Sequence, residues 1–192
     1  MKNVIIVHGK PSKEKYYDPT VATSSNFAWI PWLKKQLMVA DIKADTPEMP
    51  HAYDPQYDVW KTEFERFDVT PETVLVGHSM AGGFLLRWLS EHPGVTPLQT
   101  ILVAPSVDPL RSNKTGFCEF EIDPSLTDRT QLVVMTSDND SEKTEMSRTI
   151  ITDALPAADV RMFSGYGHFI PDHIGKETLE ELLEILEEGL ST

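Results

Sequence analysis

Residues 73–92 read TVLVGHSMAGGFLLRWLSEH: an apolar, β-branched run passes through a glycine-rich turn straight into a helical repeat. Few chains can accommodate that arrangement. A strand that is apolar at every position is buried on both faces. Such a strand needs helices above and below its sheet. A turn this short also leaves the strand and the following helix packed against each other. The same grammar recurs along the chain. Strands are expected at Asn3–His8, Ile42–Thr46, Thr73–Gly77, Gln99–Ala104, Gln131–Thr136 and Asp159–Phe163. Helices are expected at Asn26–Met38, Tyr57–Phe67, Met80–His92, Ser141–Leu155 and Glu177–Leu190. Strand then helix, repeated, implies an α/β fold: a parallel sheet of about six strands, doubly wound, in a single domain over residues 1–192. Two stretches are long for loops, Gly9 to about Asn26 and Pro105 to about Arg129. Loops at the carboxyl ends of parallel strands are where such folds build sites.

The turn itself carries chemistry. Gly77-His78-Ser79-Met80-Ala81 places a serine between small residues at a strand-to-helix corner. A serine there is held in a strained backbone conformation with its hydroxyl projecting above the sheet edge. The pattern G-x-S-x-[G/A] alone arises by chance in roughly one chain in seven of this length, so its placement carries the weight. A phosphate cradle fits less well. A P-loop requires Lys and Ser/Thr after its last glycine, where this chain has Phe84, and Ser79 occupies the second glycine of a dinucleotide fingerprint.

A serine hydroxyl needs a base to take its proton. In folds of this kind the histidine comes late. His168, in Gly165-Tyr166-Gly167-His168-Phe169 after the last expected strand, meets that requirement. His8 and His78 are expected to pack in the interior, and His51, His92 and His173 to lie on the surface. The acid that orients the base should follow the fifth strand, in Ser137-Asp138-Asn139-Asp140-Ser141. Asp140 is the first candidate, Asp138 the alternative, and Asp108 after the fourth strand a third. An Asp-Asn-Asp cluster also serves turns and helix caps. Two backbone amides should hold the oxyanion: Met80, just after the serine, and Lys10, after the first strand. Tyr16, Tyr17, Phe27, Phe117 and Phe120 in the long loops are candidates to line an acyl pocket.

Composition narrows the function classes. A net charge of −13 repels nucleic acid and anionic lipid, so neither is an expected partner. The lone cysteine, Cys118, allows neither an internal disulfide nor a four-ligand zinc site. His168, His173 and Asp172 lack a further ligand at sensible spacing, so no metal and no organic cofactor is expected. The N-terminal residues lack a signal-peptide pattern, and no stretch is long enough to span a bilayer, which points to the cytoplasm.

Several segments together carry a family resemblance. They are Val7-His8-Gly9, Trp29-Ile30-Pro31-Trp32-Leu33-Lys34-Lys35-Gln36-Leu37, Met49-Pro50, Gly77-His78-Ser79, the loop 137–140 and Gly167-His168-Phe169. On these the chain resembles the small serine hydrolases of the YdeN and retinoblastoma-binding protein 9 type. The resemblance implies an α/β-hydrolase fold with little or no cap, and it implies that the second aspartate of the cluster, Asp140, is the acid. Two positions depart from the pattern: Ala81 replaces a glycine, and Ser141-Glu142-Lys143-Thr144 follows Asp140. Asp138 therefore stays in play. The expected activity is acyl-enzyme hydrolysis of a small-molecule acyl substrate, foremost a small ester. Amidase, aminopeptidase-like or thioesterase chemistry is the alternative within enzymes. A non-catalytic protein-binding module on a hydrolase scaffold is the alternative outside them.

Overall fold

The computed structural model describes residues 2–191. Strands β1 (Asn3–Val7), β2 (Lys43–Asp45), β3 (Thr73–His78), β4 (Gln99–Val103), β5 (Gln131–Ser137) and β6 (Asp159–Phe163) form one sheet in the order β2-β1-β3-β4-β5-β6. Every pairing is parallel. The helices are α1 (Lys13–Tyr17), α2 (Ile30–Val39), α3 (Tyr57–Phe64), α4 (Met80–Glu91), α5 (Leu126–Arg129), α6 (Glu142–Ala154), α7 (Pro171–Ile174) and α8 (Glu180–Leu190).

The apolar runs explain the layers. Successive side chains of a strand point to opposite faces. Ile5, Val7, Leu75, Leu102 and Val134 face one way, against Trp60 and Phe64 of α3, Phe84 and Trp88 of α4, and Ile151 of α6. Val4, Ile6, Val74, Val76, Ile101 and Val103 face the other, against Leu33 and Leu37 of α2 and Leu182 and Leu186 of α8. All of β3 and β4 is buried, as central strands with both faces covered must be. This is the α/β-hydrolase architecture, and residues 104–125 after β4 form neither helix nor strand that might act as a cap.

Element limits shift for local reasons. The helix expected from Asn26 starts at Ile30, because Ala28 takes a φ of 56° and Pro31 sits in the first turn. Residues Ser24–Asn26 form a separate 3-10 turn. The last helix starts at Glu180 rather than Glu177, after Leu179 with non-helical backbone angles (φ −142°, ψ 77°) and a fully buried side chain. α3 stops at Phe64, short of Phe67. The first long loop holds α1, capped by the Ser12 hydroxyl accepting from the Lys15 amide at 3.2 Å.

The chain runs from β1 outward to β2 and returns to β3 on the other side of β1. The direction of winding therefore reverses between β1 and β3, and the crevice beyond their carboxyl ends is where such a sheet binds ligands.

Candidate active site

Ser79 follows β3 at that crevice. Its φ is 56° and its ψ −118°, and it precedes the first turn of α4. A non-glycine residue in such a conformation stores about 1–3 kcal/mol of strain. Neighbouring backbone holds it there: the Ser79 amide donates to the Val103 carbonyl at 2.9 Å, and the Ser79 carbonyl accepts from Gly82 and Ser106, each at 2.9 Å. The corner also dictates Gly77, where a Cβ would lie 2.9 Å from the Ala81 carbonyl oxygen and 2.8 Å from Leu85 Cδ1. Ala81 itself is fully buried in the core, so the turn accepts its methyl group.

His168 Nε2 lies 2.8 Å from Ser79 Oγ, and His168 Nδ1 lies 2.8 Å from Asp140 Oδ2. A carboxylate can only accept, so Nδ1 carries the proton and Nε2 presents a lone pair to the serine hydroxyl. The Asp140 side chain is 6% exposed. Burial by itself raises its pKa, but the hydrogen bond and charge of His168, the Ser141 amide and Thr144 outweigh it, and the net shift is downward. Asp140 is therefore a carboxylate wherever His168 is to be oriented.

Asp138 is exposed and serves a different purpose. Its two oxygens accept from the Gly165 amide at 2.9 Å and the Ser164 hydroxyl at 2.7 Å. Those two bonds lower its pKa. Asp108 is used within its own loop, accepting from the Ser112 and Asn113 amides at 2.9 and 2.7 Å. Neither aspartate contacts His168.

Met80 opens α4, so its amide has no acceptor within the helix. Gly9 passes so near the serine that a Cβ on it would lie 3.0 Å from Ser79 Cβ. Buried His8 governs the next peptide. Burial pushes its pKa down, against the Gly9 carbonyl and Glu48, so it is neutral. Its Nδ1–H donates to the Gly9 carbonyl at 2.7 Å while Nε2 accepts from the Met49 amide at 2.9 Å. With a trans peptide, the Lys10 N–H points opposite to that carbonyl, away from His8.

A cleft of about 640 Å³ opens over Ser79 and His168, walled chiefly by the first long loop. Tyr16, Tyr17 and Phe27 line it, as do Trp29 and Ile170. Phe117 and Phe120 do not. Phe117 is fully buried, its ring 5.0 Å from that of Trp60. Phe120 borders a separate hollow of about 520 Å³ with Asp108 and Cys118. A rigid aromatic core claims the first ring, and the second long loop carries the other away from the serine.

Cys118 is 3.6 Å from Met80 Sδ, and burial pushes its thiol pKa up to about 12, with Asp108 adding to the effect and Arg87 opposing it. The thiolate is the reactive form. Native protein at pH 8 is therefore expected to keep its mass in iodoacetamide over a period that fully alkylates urea-unfolded protein. Rapid native alkylation would contradict the raised thiol pKa.

The supporting frame was the part hidden from sequence reasoning. Ser137 Oγ accepts from the Tyr166 amide at 2.9 Å, and Asn139 Oδ1 from the Gly167 amide at 2.7 Å. Trp29 Nε1 donates to the Phe169 carbonyl at 3.1 Å. His78 is buried as expected, and its Nε2–H donates to the His168 carbonyl at 2.9 Å. His51 and His173 are exposed. His92 is less free than a surface residue, its ring stacked 4.6 Å from that of Trp88. The Ser-Asp-Asn run advertised short acceptors; the donors they would meet were not legible.

Among the described residues, no helix is long and apolar enough to cross a membrane. Over 93 residues the chain is 33% identical to the Bacillus subtilis (strain 168) protein YdeN, an alignment covering 47% of this chain and 43% of that protein. The chain thus matches less than half the length of that relative. The crystal structure of the B. subtilis ydeN gene product superposes with a TM-score of 0.82 at 22% identity, covering 100% of both chains. A YdeN-like protein from Pectobacterium atrosepticum gives 0.63 at 17% identity, over 98% of this chain and 90% of that one. The family model for serine hydrolases matches residues 19–188, a span that takes in Ser79, Asp140 and His168, and the chain belongs to the serine hydrolase family.

Proposed function

We propose that this hydrolase is a carboxylesterase acting through an acyl-enzyme, with Ser79 as nucleophile, His168 as general base and Asp140 as its orienting acid. The observation that carries the reading is the unbroken line from Asp140 to His168 to Ser79, with both links at 2.8 Å. Ser79 Oγ adds to the ester carbonyl as His168 Nε2 takes its proton. The oxyanion is held by the amides of Met80 and of Lys10, a residue that lines the cleft. Collapse expels the alcohol, which takes the proton from His168. Water, deprotonated by His168, then adds to the acyl-enzyme and frees the acid and Ser79. The apolar walls and modest volume of the cleft suit a small acyl substrate. A strained serine favours turnover over a purely binding role, because a scaffold gains nothing from the strain.

A fluorophosphonate probe tests the class directly. Wild-type protein is expected to gain one probe adduct by intact mass, and Ser79→Ala none. A wild type that stays unlabelled at near-stoichiometric probe would sink the proposal.

A further inference from the structure

Four consecutive amides in the His168 loop donate to side chains. Gly165, Tyr166, Gly167 and His168 bond to Asp138 Oδ1, Ser137 Oγ, Asn139 Oδ1 and His173 Nδ1, at 2.9, 2.9, 2.7 and 2.8 Å. Three of these acceptors come from the end of β5 and the turn after it. The fourth, on the amide of His168 itself, comes from α7. We propose that His173 is a positioning residue for His168, and that protonation of its ring releases the His168 amide and adds a second proton to the acid limb of the activity profile. The inference rests on His168 acting as the base.

The four acceptors respond differently to acid. A hydroxyl and an amide oxygen do not titrate, and the Asp138 carboxyl is held low by the amide and hydroxyl it binds. An imidazole nitrogen accepts only while unprotonated, and histidine is the side chain whose charge changes between about pH 5 and 8. A proton on Nδ1 would set two N–H groups against each other at 2.8 Å. The ring lies close against the Gly167 backbone, where a Cβ would lie 2.5 Å from His173 Nδ1 and 2.7 Å from its Cγ. Gly167 also has a φ of +50°, so glycine is required there twice over.

The opposite side of the same residue does not titrate in that range. The His168 carbonyl is bound by His78, whose pKa is pushed to about 3 by burial and then by the neighbouring His168 charge. Lys176 pairs with Glu180, Asp138 and Asp140 hold Gly165 and His168, and Asp172 precedes His173 in the helix. Acid therefore frees the His168 backbone on one side only, and a small rotation there moves Nε2 from Ser79.

The test is the pH dependence of kcat/KM for p-nitrophenyl acetate from about pH 5 to 8. In wild type, the acid limb of log kcat/KM is expected to steepen to a two-proton slope. His173→Asn supplies a non-titrating oxygen where Nδ1 stood. It should keep kcat/KM within about threefold at pH 8 and show a one-proton limb. His173→Ala should lose at least about tenfold in kcat at pH 8, with KM little changed. A one-proton limb in the wild type, an unchanged two-proton limb in His173→Asn, or wild-type kcat in His173→Ala would each overturn the inference while leaving the triad reading intact. A wild type that neither labels with fluorophosphonate nor turns over would overturn both.

Discussion

Replacing Ser79 by alanine is expected to lower kcat/KM for a small ester at least about 10⁴-fold. The size follows from what is removed. Without Oγ there is no acyl-enzyme, and His168 has only water to activate. Met80 and Lys10 amides would still bind an oxyanion, so a trace of turnover above background is compatible with the mechanism. The fold should survive. Alanine inherits the positive φ that serine already tolerates, and the backbone bonds to Val103, Gly82 and Ser106 do not involve the hydroxyl. The melting temperature is expected to move by no more than about 4 °C. Parallel ester kinetics and thermal melts check both halves. Retention of a tenth of the activity by a folded Ser79→Ala protein would exclude Ser79 as nucleophile.

Asp140→Asn is expected to cost about 10³–10⁴-fold in kcat, and Asp138→Asn no more than about threefold. Asparagine at 140 can turn its NH₂ toward His168, which then favours a proton on Nε2, the nitrogen that must accept from Ser79. The imidazolium formed during the reaction also loses its counter-charge. At 138, an amide oxygen still accepts from the Gly165 amide, and the Ser164 hydroxyl can reverse from donor to acceptor. Steady-state kinetics of both variants at pH 8 decide the matter, and a reversed order of effects would move the acid to Asp138. Asp140 also sets a pH sign. Its folded pKa lies below the usual carboxylate value, so the pair with His168 contributes stability at neutral pH and loses it as pH falls through that lowered pKa.

The layers were legible because their causes are local. β3 and β4 are apolar at nearly every position, which only a doubly covered strand explains. The Gly77–Ala81 corner was legible for a similar reason, since its small residues are required by backbone contact within a few positions. The start of α2 was not. A positive φ at Ala28 reflects the docking of Trp29 against the His168–Phe169 loop, and that loop lies 140 residues away. The role of His173 was hidden for another reason, since the amide it meets is only five residues away. An exposed histidine near a chain's end gives no sign that one ring nitrogen faces a particular amide. Loop membership alone makes Phe117 and Phe120 candidates for the pocket, and the loop instead feeds the core and a second hollow.

The position of β1 between β2 and β3 has a consequence for how this chain acquires function in time. β1 pairs with β3 in the register Asn3 to Thr73, and Ser79 reaches His168 across 89 residues. Closing such long stretches of chain carries an entropic cost that later contacts must offset, and topologies rich in them fold slowly. Helices α3, α4 and α6 each form from neighbouring residues and can precede that closure. Helical signal therefore reports the early chain, whereas the Ser79–His168 contact reports molecules in which β3 and the loop after β6 have met. That contact is the stricter clock for the folding of this protein.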